Sequence, residues 1–100
     1  MQQLTPQELK EWMANNRPFK LIDVREAWEH ELFNIGGQLI PLGELMTRKA
    51  EIPAEGDVVL YCEKGIRSGI AIQRLHALGY NNLFNLWGGM SAWKSSVESL

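Results

Sequence analysis

One cysteine, Cys62, stands in a chain of 100 residues. A single thiol cannot form an internal disulfide, so the fold is expected to stand without covalent staples in a reducing cytoplasm. A redox cycle that needs a resolving cysteine on the same chain is excluded. Histidine is nearly as scarce, and neither His30 nor His76 shares a metal-ligand spacing with Cys62. No metal site is expected. No apolar run approaches the length of a membrane span, and Met1-Gln2-Gln3-Leu4-Thr5-Pro6 lacks the basic and apolar regions of a signal peptide. A formal charge of −2 offers no broad field to attract nucleic acid. Neither membrane nor nucleic acid is therefore expected as a partner. There is no internal repeat and no low-complexity segment. What is present is an ordinary globular balance, 45% hydrophobic and 22% charged. Residues 1–100 read as a single domain with one core.

The residue pattern alternates strand and helix. Thr5, Pro6 and Glu8 form a capped helix start, and Leu9, Trp12 and Met13 follow on one face. Asn15-Asn16 and Pro18 end that helix. Residues 19–24 read as a short strand, with Asp23 and Arg25 at its C-terminal end, where open α/β sheets place ligand sites. Both side chains are candidates to orient a neighbouring loop; a local salt bridge or turn is the competing reading. Residues 27–32 give one or two helical turns, in which His30 reads as exposed and without a special role. A turn into a short strand follows over 35–41. Residues 42–50 read as a weaker helix, with Leu42, Leu45 and Met46 on one side and Gly43 against it. Val58-Val59-Leu60-Tyr61 is a buried strand. A helix is expected over 67–78, with Ile70, Ala71, Arg74, Leu75 and Leu78 on it, Gly79 as its C-cap and His76 at the surface. Residues 83–86 form a further strand. Gly88-Gly89 turns the chain, and Met90, Trp93 and Val97 mark one face of a last helix. The expected architecture is α/β, a mostly parallel central sheet of about five strands with helices on both faces.

The stretch Cys62-Glu63-Lys64-Gly65-Ile66-Arg67-Ser68 joins the buried strand to a helix start. Main-chain N–H groups there, from Glu63 to Arg67, can turn inward around the thiol, and with the helix end they favour a sulfur anion. Lys64 and Arg67 add positive charge, and Glu63 offsets one of them. Gly65 supplies backbone freedom for a tight loop, and Ser68 can cap the helix or hydrogen-bond the sulfur. From residue type alone, Cys62 reads equally as a small core residue or as a nucleophile. Four residues separate Cys62 from Arg67, one fewer than in the loop that cysteine phosphatases wrap around phosphate. The smaller ring suits a sulfur atom or a small sulfur oxyanion. No histidine lies near the loop in sequence to act as a general base.

These segments together resemble a single-domain rhodanese. Leu21-Ile22-Asp23-Val24-Arg25-Glu26 is similar to that family's early strand motif, and Ile40-Pro41-Leu42 to its next strand end. Cys62 to Arg67 resembles its six-residue active-site loop. Gly79-Tyr80, Asn85-Leu86-Trp87-Gly88-Gly89 and Ala92-Trp93 resemble its closing strand, glycine turn and last helix. The resemblance implies a sulfurtransferase of the thiosulfate:cyanide type. Cys62 would be the nucleophile that becomes a persulfide, held by the amides of Glu63 to Arg67. Lys64 and Arg67 would attract an anionic donor such as thiosulfate, and a thiol, a protein or cyanide would remove the sulfur. Trp87, beside the glycine turn, is by its position a candidate for the pocket rim. The chain departs from the family where Phe33-Asn34-Ile35-Gly36-Gly37-Gln38 replaces the common Gly-His-Ile-Pro-Gly-Ala. Glu63 beside the nucleophile argues against a doubly charged donor. A non-catalytic interaction or sulfur-sensing module on the same fold is the alternative; phosphatase or arsenate reductase chemistry fits the loop length poorly.

Overall fold

In a computed structural model, residues 1–98 are described, with side chains through Ser96. The apolar run that reads as a buried strand is β4 (Val58–Tyr61), and it lies at the middle of the sheet. Alternate side chains of a strand leave on opposite faces. Val58, Leu60 and Cys62 enter one core, and Val59 and Tyr61 enter the other. A strand covered on both sides needs apolar residues at every position, which is why this segment shows no polar alternation.

Five parallel strands, among the described residues, run in the order β1 (Gln2–Leu4), β5 (Leu83–Leu86), β4, β2 (Lys20–Asp23) and β3 (Gln38–Leu39). The short edge strand β1 carries no apolar pattern, since only Leu4 of its three residues is buried. Leu4 and Leu86 pack in the core beneath α1 (Pro6–Ala14) and α4 (Gly89–Glu98), together with Leu9 and Met90. The other core lies under α3 (Ile66–His76) and contains Ala71, Ile72 and Leu75. The short helix α2 (Ala27–Leu32) follows β2 and has no fully buried residue. No helix of the described residues is long and apolar enough to cross a membrane.

Most element expectations hold. Thr5 accepts from the Glu8 amide at 3.1 Å and Glu8 returns the bond to the Thr5 amide at 2.9 Å, completing the capping box. Gly79, at φ 101°, turns the chain so that the Tyr80 amide reaches the Leu75 carbonyl. Two expectations are corrected. Residues 42–50 do not form one continuous helix: Leu42–Glu44 and Lys49–Glu51 are separate 3₁₀ turns, with Gly43 lowering helix propensity in the first of them. On α3 the buried stripe is Ser68, Ala71, Ile72 and Leu75; Ile70 and Leu78 stay exposed. Ala71 and Leu75 lie inward as expected, and the rest of the buried face is displaced toward Ser68 and Ile72, where polar Ser68 turns inward to Asn85. The Val97 side chain lies outside the described residues.

Candidate active site

Parallel register brings three strand ends together. Asp23 pairs with Tyr61, the Val24 amide donates to the Tyr61 carbonyl, and Leu60 pairs with Asn85. Arg25, Cys62 and Trp87 therefore leave the same edge of the sheet, and Cys62 begins the loop between β4 and α3. Cys62 is buried, with 1% of its surface exposed. Its Sγ accepts from the Gly65 amide at 3.1 Å and from the Ser68 amide at 3.4 Å, and the Ser68 Oγ is also 3.4 Å away. Gly65 has φ 90°, the left-handed turn that points its N–H inward. Among the described residues, the amides of Glu63, Lys64, Ile66 and Arg67 donate to no protein acceptor.

Asn85 locks this loop from below, and nothing in the loop's own sequence indicates it. Its Nδ2 donates to the Gly65 carbonyl at 3.0 Å, so its Oδ1 is the acceptor that takes the Ser68 hydroxyl at 2.5 Å. The Ser68 Oγ then presents a lone pair to Cys62, the polarity that matches a neutral S–H. The two amides already suit a sulfur anion, and that hydroxyl, turned from Asn85 toward Sγ, would add a third donor. The available signal for Asn85 is a lone polar residue inside the apolar strand Leu83-Phe84-Asn85-Leu86, where it is 4% exposed.

The charged groups are arranged differently from the sequence expectation. Arg67 is not free to attract an anion. Its Nη1 and Nη2 hold both carboxylate oxygens of Glu29 on α2, at 2.7 and 2.8 Å. The hydrogen bonds from Arg67 depress the Glu29 carboxyl to a pKa of about 2. Asp23 is fully buried and accepts from the Arg25 amide at 2.9 Å and from its guanidinium at 2.9 to 3.2 Å. The same guanidinium also donates to the Phe33 carbonyl at 2.7 Å and lies 3.8 Å from Glu63. His30 is corrected as well. It is not an exposed bystander: its Nδ1 lies 2.8 Å from Asp23 Oδ2, and since a carboxylate only accepts, Nδ1 carries the proton. One turn into α2, the ring falls over the buried carboxylate.

The turn after β5 forms the opposite wall. The Met90 amide donates to the Cys62 carbonyl and the Ser91 amide to the Glu63 carbonyl, both at 2.9 Å. Ser91 Oγ donates to Glu63 Oε2 at 2.9 Å. A Cβ on Gly89 would collide with the Cys62 carbonyl oxygen and fall 2.7 Å from the Glu63 carbonyl. Lys64 and Ile66 are exposed on the loop, and Trp87 is 58% exposed beside it. The substituted segment is well held: Asn34 Oδ1 accepts from the Gly36 amide at 2.8 Å, and the Gly36 carbonyl accepts from Tyr61 Oη at 2.9 Å.

A family model described as the rhodanese-like domain matches residues 5–96. The chain is 35% identical over 98 residues to a protein described as the probable adenylyltransferase/sulfurtransferase MoeZ of Mycobacterium tuberculosis, covering 95% of this chain and 25% of MoeZ. It thus spans about a quarter of that relative's length. A sulfurtransferase of Allochromatium vinosum is 34% identical over 92 residues, 91% of this chain and 86% of that protein. The crystal structure of a rhodanese-like domain protein from Staphylococcus aureus superposes with a TM-score of 0.85 at 28% identity, covering 93% of this chain and 91% of that one.

Proposed function

The chain belongs to the rhodanese-like domain family, and on that footing we propose that it is a sulfurtransferase working through a persulfide on Cys62. The supporting observation is the pair of main-chain N–H groups, from Gly65 and Ser68, directed at a thiol on the end of a buried strand. The Cys62 thiolate attacks the outer sulfur of the donor. A new S–S bond forms at Cys62, the donor's own bond to that sulfur breaks, and the donor leaves with the electron pair. From thiosulfate the leaving group is sulfite. An outside thiol, on a small molecule or a protein, or cyanide then takes the outer sulfur and returns the Cys62 thiolate. The amides of Glu63, Lys64, Ile66 and Arg67, which no protein acceptor engages, hold the negative charge of the terminal sulfur. Asp23 and Arg25 support the loop, and residues 1–100 act as one domain. The scheme uses no metal or organic cofactor and suits a reducing compartment such as the cytoplasm.

Intact-protein mass after exposure to thiosulfate tests this directly. The wild type is expected to gain one sulfur and Cys62→Ala none, and with cyanide present only the wild type is expected to yield thiocyanate. Equal, background-level results for the two proteins would reject the assignment and favour a non-catalytic module.

A further inference from the structure

We propose that His30, resting on the carboxylate of Asp23, sets the net charge around Cys62 and so decides how strongly the site takes an anionic sulfur donor. The inference rests on the persulfide reading of Cys62 and deepens it to the regulation of that site.

Geometry joins the imidazole to the surroundings of the thiol. Asp23 pairs with Tyr61 across β2 and β4, and Cys62 is the next residue; adjacent strands lie about 4.8 Å apart. The His30 side chain is 22% exposed and sets its Nδ1–H on Asp23 at 2.8 Å. Its neighbour Glu29 holds Arg67, the last residue of the loop. The Arg67 pKa is raised by the hydrogen bonds to Glu29, and also by the charges of Glu29, Cys62 and Asp23. These groups therefore share one electrostatic neighbourhood, with His30 at its edge.

Asp23 carries one negative charge and already pairs with Arg25 at 2.9 Å. It cannot neutralise a protonated His30 as well. Nor do the other groups that face the ring and its partner. Glu29 is taken by Arg67, and Glu63 is held by Ser91 and lies by Arg25. Tyr61, beyond Asp23, keeps its proton to a pKa of about 12. Lys94, over the Phe33 ring, adds a cation of its own. On α2 itself Glu26 and Glu31 are exposed, where water and salt screen them. With His30 neutral, Asp23, Glu29 and Glu63 balance Arg25, Lys64 and Arg67; a proton on His30 leaves one positive charge over. Among the described residues no protein group engages Nε2, so solvent delivers that proton. Histidine is the side chain that changes charge between pH 5 and 8. The added charge acts on the single charge of the Cys62 thiolate and on both charges of a dianionic donor.

The test uses His30→Asn, whose amide keeps a donor for Asp23 and loses the charge. Intact-protein mass follows two reactions of each protein from about pH 5.5 to 8.5. One is sulfur loading from thiosulfate. The other is labelling by neutral methyl methanethiosulfonate, in which the Cys62 thiolate gains S–CH₃ and methanesulfinate leaves. The wild-type rate divided by the variant rate is expected to be near one at the alkaline end. Toward acid it should rise about fivefold for thiosulfate and about twofold for the neutral reagent. Ionisation of Cys62 unlinked to His30 cancels in this ratio, and a merely structural role would shift it equally at every pH. A ratio for thiosulfate that is flat with pH would overturn the inference while Cys62 still takes up sulfur. If neither protein takes up sulfur, the persulfide reading falls. The neutral reagent then decides the role of His30: a ratio rising toward acid keeps its charge acting on the thiol, and a flat one removes it.

Discussion

At the scale of single residues, the Glu29–Arg67 pair changes what the loop's arginine does. A guanidinium that grips a carboxylate with both ends is a strut between α2 and the start of α3, and its charge is already matched. Glu29→Gln is expected to cost on the order of 1 kcal/mol at pH 7, because Arg67 is partly solvated. The Glu29 carboxyl lies far below the ordinary carboxylate range in the folded state, so its contribution is present above the unfolded pKa. It is lost as pH falls from about 4.5 toward 2. Urea melts at pH 7, 4 and 2.5 should show the wild type and Glu29→Gln converging in acid; a constant difference would show that the ion pair is not its source. Cys62 and its loop are legible in sequence because strand, thiol, glycine and helix start are consecutive. Glu29 is not, since it lies 38 positions from Arg67 and only the parallel sheet brings α2 beside α3. Asn85 is hidden for the same reason, whereas His30 and Asp23 are only seven positions apart and their pairing depends on how the chain turns from β2 into α2.

At the scale of elements, the N-terminus of α4 is built into the candidate site. Gly89 has φ 57° and no room for a Cβ against the loop's main chain. Gly89→Ala must strain the backbone and push the loop off α4, at a cost on the order of 3 kcal/mol. Gly56 also has positive φ, 81°, but open space where a Cβ would go, so Gly56→Ala should cost only about 1 kcal/mol. Urea unfolding measures both, and equal losses would mean that φ alone matters. Helices with a cap signature were legible: Thr5-Pro6 and Gly79 mark ends that the structure also shows. The segment over 42–50 was misread because three apolar residues at helical spacing satisfy a periodicity test even when the chain, with Gly43 in its first turn, forms two tighter 3₁₀ turns. Strand β1 was unreadable, for an edge strand of three residues needs only one apolar side chain.

At the scale of the molecule, two cores separated by one sheet meet at β4, and Tyr61 shows how tightly they close. Its ring is fully buried and its hydroxyl donates to the Gly36 carbonyl. Burial raises its pKa to about 12, with the negative charge of Asp23 adding to the effect. Unfolded tyrosine ionises near 10, so the folded state retains the proton longer and stability drains as pH rises from about 10 toward 12. Thermal melts from pH 8 to 12 should fall more steeply for the wild type than for Tyr61→Phe, which gives up one hydrogen bond, about 1 kcal/mol, at every pH. Parallel slopes would exclude Tyr61 as the titrating group.

The pairing of charges around the loop has an effect at a distance. Asp23, Glu29 and Glu63 stand against Arg25, Lys64 and Arg67, and the formal charges of these six side chains sum to zero. At physiological ionic strength fields fade over about 8 Å, and a neutral set of neighbours gives little even within that range. These six side chains therefore add no net long-range pull at this edge of the sheet, and what they offer a solute is met on contact, at the exposed faces of Lys64, Ile66 and Trp87.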